Sequence, residues 1–226
     1  NIYIMKNIMK SVGTAVVFMA SIVGNAYADS STMSGFHIGV TGKAVGYELD
    51  GTHSKTLGTD LDTTGQTGVV ALAAGADIGY TFAMGDSMFA TLSAQWTPSA
   101  GDIQTKDVTE AKDVKMSMGD IMGASIETGM MLTSNSSMYL KVGFEELKVT
   151  ITGTEVNNSR EDLNGTIYAI GTKTVTDNGF FVKSEAGMVD YDSIKISGIL
   201  EVFESTSTFT ASAKADVDSA YGAITV

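Results

Sequence analysis

VVALAAGADIGYTFAMGDSMFATLSAQW, running from Val69 to Trp96, is the stretch whose reading decides the fold. From Val70 the apolar residues take every second position: Val70, Leu72, Ala74, Ala76, Ile78, Tyr80 and Phe82. A tight polar break, Met84-Gly85-Asp86-Ser87, follows. The alternation then resumes with Met88, Ala90, Leu92, Ala94 and Trp96. Successive side chains of a strand point to opposite faces, so this period of two predicts a pair of antiparallel strands with one greasy face. Gly85-Asp86 is suitable for the turn, because Gly accepts positive φ and Asp bonds its own backbone. Apart from Val69 and Phe89, the second face holds Gly, Ala, Ser and Thr with one Asp and one Gln, where a water-facing sheet would show Lys, Glu and Arg. That face suits a cramped polar interior, and the greasy face then points outward into a lipid solvent.

The rest of the chain bounds this reading. The 226 residues include 25 Gly, one Pro and no Cys, so disulfides and thiolate metal sites are excluded. The formal net charge of −12 argues against nucleic acid as a partner. Met5-Lys6 and Lys10, the apolar run Val12 to Val23, and Ala26-Tyr27-Ala28 have the form of a secretory signal peptide. Residues 1–28 are read as that signal, with 1–4 as an upstream extension, and the mature chain is expected to start at Asp29. An uncleaved anchor is the alternative. No later apolar run is long enough for a membrane helix.

Six further strands complete the count. Gly35 to Tyr47 is strand one, and Glu48 to Gln66 reads as a polar loop. Thr97 to Asp113, with Pro98, reads as a second loop. Strand four, Val114 to Met131, is the least regular: Met116, Met118, Met122, Ala124 and Ile126 are in phase, but Asp120 sits among them, and a helix competes. Strand five runs from Met138; its apolar phase slips to Leu147, Val149 and Ile151, which predicts a bulge near Glu145-Glu146. Thr152 to Asn164 is a third loop, Gly165 to Val175 strand six, Thr176-Asp177-Asn178-Gly179 a turn, Phe180 onward strand seven, and Ala220 to Val226 strand eight. Between the last two, an alternating pattern suggests a protruding hairpin turning near Glu204 to Ser207, with an irregular loop as the alternative.

Connections alternate long and short from the first onward, as in barrels with short periplasmic turns and long external loops. The prediction is an all-β, eight-stranded antiparallel up-and-down transmembrane barrel over residues 29–226. The hairpin register places Phe180 opposite a position past Val226, so the barrel is expected to lack its last few residues. Eight strands give an interior filled by side chains. Trp96 should mark the outer interface, and Tyr80 and Phe82 the inner one.

Thr176-Asp177-Asn178-Gly179-Phe180-Phe181-Val182-Lys183-Ser184-Glu185, closing on Asp190-Tyr191-Asp192-Ser193, resembles the penultimate strand of the OmpA-type and opacity-type small outer-membrane barrels. The match covers Gly165 to Ser193. Three features depart from the pattern: the terminal aromatic is missing, strand six is atypical, and no peptidoglycan-binding domain follows. The resemblance implies a surface-exposed barrel with no chemistry of its own.

The phases put Lys43, Asp77, Lys141, Glu145, Lys183 and Glu185 inside. Charges there must pair, since an unpaired one has a heavy desolvation cost, and Lys43 is the first candidate partner of Asp77. A packed ionic plug is the plainer reading of this cluster, and a gate or ion path the sharper one. No catalytic, cofactor or metal residues are predicted. His37 and His53 have no motif around them, Asp60-x-Asp62-x-x-Gly65 lacks the remaining ligands of a calcium loop, and the Asn135 and Asn164 sequons are read as chance. The 13 Met read as lipid contact or packing.

The expected function is a bacterial outer-membrane protein with a structural or surface-interaction, adhesin-like role. A small solute channel and a soluble lipocalin-like binding barrel are the competitors. The expected partners are outer-membrane lipid and, through the external loops, host or environmental surface ligands. The chain is expected to be a monomer without cofactor.

Overall fold

A computed structural model describes residues 29–55, 61–106, 113–153, 159–201 and 208–226. The proposed signal peptide and the hairpin tip lie outside these residues. Strands account for almost all of them: β1 Gly35–Lys55, β2 Leu61–Met84, β3 Met88–Lys106, β4 Asp113–Met131, β5 Ser136–Gly153, β6 Ser159–Val175, β7 Phe181–Tyr191, β8 Ile194–Glu201 and β9 Thr208–Thr225. Each strand from β1 to β6 pairs antiparallel with the next, β7 pairs with β9, and β9 closes on β1. The result is a closed eight-stranded antiparallel barrel. β8 resumes the line of β7 after Asp192-Ser193 and pairs with the far end of β9, Ile194 opposite Ala215 and Glu201 opposite Thr208. The strand pair of the proposed protruding hairpin is therefore formed.

Short connections gather at one end. Gly85 (φ 79°) and Gly179 (φ 86°) take the left-handed conformation their turns require. At this end a 3₁₀ turn, Ser30–Met33, folds under the barrel mouth. The Ser30 amide donates to the Asp86 carbonyl at 2.8 Å, and Met33 packs against Phe89, Met131 and Tyr139.

Three polar segments read as loops are largely strand. β1 runs to Lys55 and β2 begins at Leu61. β3 continues through Pro98 to Lys106, and β5 and β6 extend to Gly153 and from Ser159. A backbone ladder needs no apolar side chains, so Gly- and Thr-rich ends go on pairing. Pro98, which lacks an N–H, is accommodated where the β2–β3 register shifts between Ala74 and Ala76. β1 and β2 count 21 and 24 residues. At ~3.3 Å per residue and a tilt near ~40° they stand roughly 50–60 Å tall, about twice the ~25 Å apolar band of a membrane barrel.

The two halves of that height have opposite polarity. Near the short turns Phe36, Ile38, Val40, Ile78, Leu92, Ile126 and Val142 face outward and are exposed. Higher up, Val45, Tyr47, Leu49, Met118, Ile121, Leu147, Val149, Ile151, Leu163 and Val217 form a buried core inside the barrel. The outward positions there are Glu48, Glu146, Asp162, Asp190 and Asp218.

β5 shows how the change happens. Its odd-numbered residues from Tyr139 to Ile151 all face inward, and its register with β6 runs unbroken from Ser136 opposite Thr174 to Ile151 opposite Ser159. The expected bulge at Glu145-Glu146 is absent. The phase stays constant and the solvent outside changes. The bulge lies on β4 instead, where two residues, Asp120 and Ile121, stand against Leu147 and the register shifts between Gly119 and Met122. Asp120 adopts φ 55° there. Consequently Met118 points inward and Met122 outward, not to one face, and the helical alternative for this segment is not realised.

Candidate functional site

The lower interior is a charge network built on small-residue strand faces. Gly39, Gly79, Gly129, Gly143 and Gly171 leave room there, and a Cβ on any of them would collide with a neighbour at under 3 Å. Into this space project four lysines, Lys43, Lys141, Lys173 and Lys183, and four carboxylates, Asp77, Glu127, Glu145 and Glu185. The formal charges cancel, as a low-dielectric interior requires.

All six residues expected inside are inside, but the pairing differs from expectation. Asp77 is bonded by His37 Nε2 at 3.1 Å and approached by Lys183 Nζ at 3.8 Å. Lys43 is not its partner. The residue opposite Asp77 on β1 is Gly39, and Lys43 is registered with Ala73. Its ammonium lies 4.6 Å from the centre of the Tyr221 ring. Lys183 Nζ donates to Glu127 Oε1 at 2.6 Å. A second branch gathers on Glu185, which accepts from Lys141 at 3.0 Å, Tyr139 at 2.9 Å and Tyr221 at 2.7 Å. Lys141 also donates to Gln95 Oε1 at 3.2 Å. Gln95 Nε2 donates to Glu145 at 2.7 Å, and the Tyr191 hydroxyl donates to the same carboxylate.

Four participants were not placed in the cluster from the sequence: Glu127, Lys173, His37 and Gln95. Glu127 was legible, since it lies out of phase with Met122, Ala124 and Ile126. Lys173 sits in a strand with a weak alternation. His37 and Gln95 look unremarkable until the barrel closes around them. The Tyr191 and Tyr221 hydroxyls come from the border with the apolar core and the Tyr139 hydroxyl from the cluster at the short-turn end, each ring in an apolar cluster and each OH in the network.

The network is closed above and below. The apolar core caps it toward the far end of the barrel, and Met33 with Phe89, Met131 and Tyr139 caps it toward the short turns. His37 and Asp77 form a pair of the kind that orients a catalytic base. Among the described residues the nearby hydroxyls pair with each other, Thr81 with Thr91 at 2.8 Å and Ser93 with Ser125 at 2.9 Å. The arrangement joins strands through their side chains.

At the border between the halves Trp96 Nε1 donates to Asp120 at 3.2 Å, and Lys148 donates to the same carboxylate at 2.8 Å. These bonds hold the Asp120 carboxyl below its usual range, the one from Lys148 most strongly. Trp96 thus sits at the upper edge of the apolar belt, and Tyr80 and Phe82, with ring centres 4.7 Å apart, lie near its lower edge. Above the border an acidic row crosses three strands: Asp218 is registered with both Asp190 and Glu48. Partial burial, then repulsion from Asp190 and Glu48, raises the Asp218 carboxyl above its usual range.

A closed barrel with an apolar outer belt, a neutralised polar interior and aromatic residues at the belt's edges defines a transmembrane β-barrel of the small eight-stranded class. The soluble lipocalin-like alternative fails, because its apolar face would point inward along the whole barrel. No protein-family model matches the chain, and no curated protein matches it. Among solved structures it is similar to Ail, the attachment invasion locus protein of Yersinia pestis, solved with the heparin analogue sucrose octasulfate. That likeness has 10% identity, covers 81% of this chain and 98% of that one, and has a TM-score of 0.37. It is also similar to Neisserial surface protein A, at 15% identity over 78% of this chain and 95% of that one, with a TM-score of 0.33. The closed eight-stranded antiparallel architecture is the fold that the sequence resemblance implies.

Proposed function

We propose that this chain is a bacterial outer-membrane barrel that anchors an acidic, rigid β-stalk at the cell surface for surface interaction, without catalysing a reaction. The observation that carries the reading is the inversion of polarity at constant strand phase. A barrel whose lower half is outfitted for lipid and whose upper half is outfitted for water stands across a membrane and projects well beyond it. The short turns and the 3₁₀ turn belong at the periplasmic side, and the opposite end of the barrel outside. The packed ionic interior supports a structural role for the charges and speaks against a solute channel. The acidic exterior disfavours polyanionic partners, so binding would fall to the external connections and to cationic or neutral surfaces.

An epitope inserted between residues 154 and 158 tests this. It should be reached by antibody on intact cells, and the protein should migrate in a heat-modifiable way from membrane fractions. Recovery wholly in the soluble periplasm, or labelling only after permeabilisation, would overturn it.

A further inference from the structure

The short-turn rim holds an arrangement that lipid contact does not call for. Met84 is registered directly opposite Met88. Met88 is opposite Met130, and Met130 opposite Met138. Four methionines on four successive strands therefore form one unbroken row on the outer wall. The next row up, Phe82, Ala90, Thr128 and Leu140, contains no thioether. Six of the ten methionines beyond residue 28 lie at this end of the barrel: Met33, Met84, Met88, Met130, Met131 and Met138. An apolar rim could be made equally well from Leu or Ile, so the choice of sulfur asks for a chemical reason.

Directly opposed side chains on neighbouring strands have Cβ atoms ~4.5–5.5 Å apart. Methionine is unbranched, with three rotatable bonds, so three adjacent thioethers can turn toward a common point above the middle strand. Met84 and Met88 are 43% and 47% exposed and flank the exposed turn Gly85-Asp86-Ser87, so water reaches the row from its open side. Thioether sulfur is a soft, neutral ligand that selects soft monovalent ions over Zn(II), Mg(II) or Ca(II). We propose that the row Met84, Met88, Met130 and Met138 is a binding site for a soft monovalent metal ion, Cu(I), held by two or three of the four sulfurs. The site lies at the membrane boundary, independent of the interior network and of any external partner.

The test uses the whole protein folded in detergent, under reductant, competing for Cu(I) with a chromophoric Cu(I) chelator. Ag(I) serves as a redox-inert second probe. About one equivalent of Cu(I) should leave the chelator. M88L/M130L keeps the apolar rim and should weaken binding at least tenfold, while heat-modifiable migration shows that the barrel still forms. M116L/M122L, away from the row, should bind as the unmodified chain does. The proposal is overturned if no Cu(I) leaves the chelator, if M88L/M130L binds unchanged, if the control pair loses binding equally, or if Zn(II) competes on equal terms.

Discussion

β5 below Glu145 and β5 above it are the same strand in the same phase, yet they resemble two different proteins. Below, Val142 and Phe144 face out, and Lys141 and Glu145 face in. Above, Glu146 and Thr150 face out, and Leu147, Val149 and Ile151 are all within 1% of full burial. The lower half is stabilised by lipid around its wall and by paired charges within. The upper half is stabilised by removing apolar surface from water, as in a soluble barrel. One ladder of backbone hydrogen bonds runs through both. The outside solvent dictates which side chains go where, and the backbone is indifferent.

Substitutions at matched positions can break this comparison. The largest effect should come from the charged interior. Lys183→Ala strands Asp77 and Glu127 without their shared cation, a loss of about 3–5 kcal/mol. It should appear in urea unfolding of the detergent-folded barrel, read by the single tryptophan, Trp96. Adding Glu127→Gln should recover part of the loss, since one buried charge is removed. Simple additivity of the two changes would show that the pair is not coupled.

In the upper half the matching test is Leu147→Ala, which opens a cavity in the apolar core at a cost of about 2–5 kcal/mol. Adding charge nearby should not rescue it. A third pair probes the outer wall. Val142→Arg puts a charge into lipid and should cost about 2–4 kcal/mol. Thr150→Arg, four rows on along the same face of the same strand, should cost under about 0.5 kcal/mol because it meets water. Equal costs would mean that the apolar belt extends past Glu146.

The smallest effect concerns Asp218. Its folded carboxyl is raised, so the folded state is favoured while the group is protonated. That advantage is present below the unfolded range and is lost as pH rises through the folded one. At neutral pH the ionised row Asp190, Asp218 and Glu48 is a mild burden. Asp218→Asn should stabilise the upper half by less than about 0.5 kcal/mol, an effect that salt screens. No gain in stability at low ionic strength would contradict the repulsion.

Much of this architecture was legible from alternation. Gly35 to Tyr47 and Val69 to Trp96 announce strands, and the tight turns at Gly85 and Gly179 announce where they reverse. The polar extensions past Tyr47 and Trp96 were not legible, because strands without a greasy face carry no period-two signal. The apparent slip at Glu145-Glu146 misled for a related reason. A pattern of hydrophobicity reports which face is greasy, and it cannot distinguish a bulge from a change of solvent. The true bulge at Asp120 was hidden among methionines that satisfy either face.

By itself, then, the sequence determined the strands of the lower barrel, their inward and outward faces, and the presence of charges inside. These are local consequences of backbone pleat and side-chain polarity. The tertiary structure alone decided that His37 and Lys183, not Lys43, meet Asp77, that four methionines fall into one row, and that the wall changes solvent halfway up. Each depends on the register between strands far apart in the chain, which is set only when the whole barrel closes.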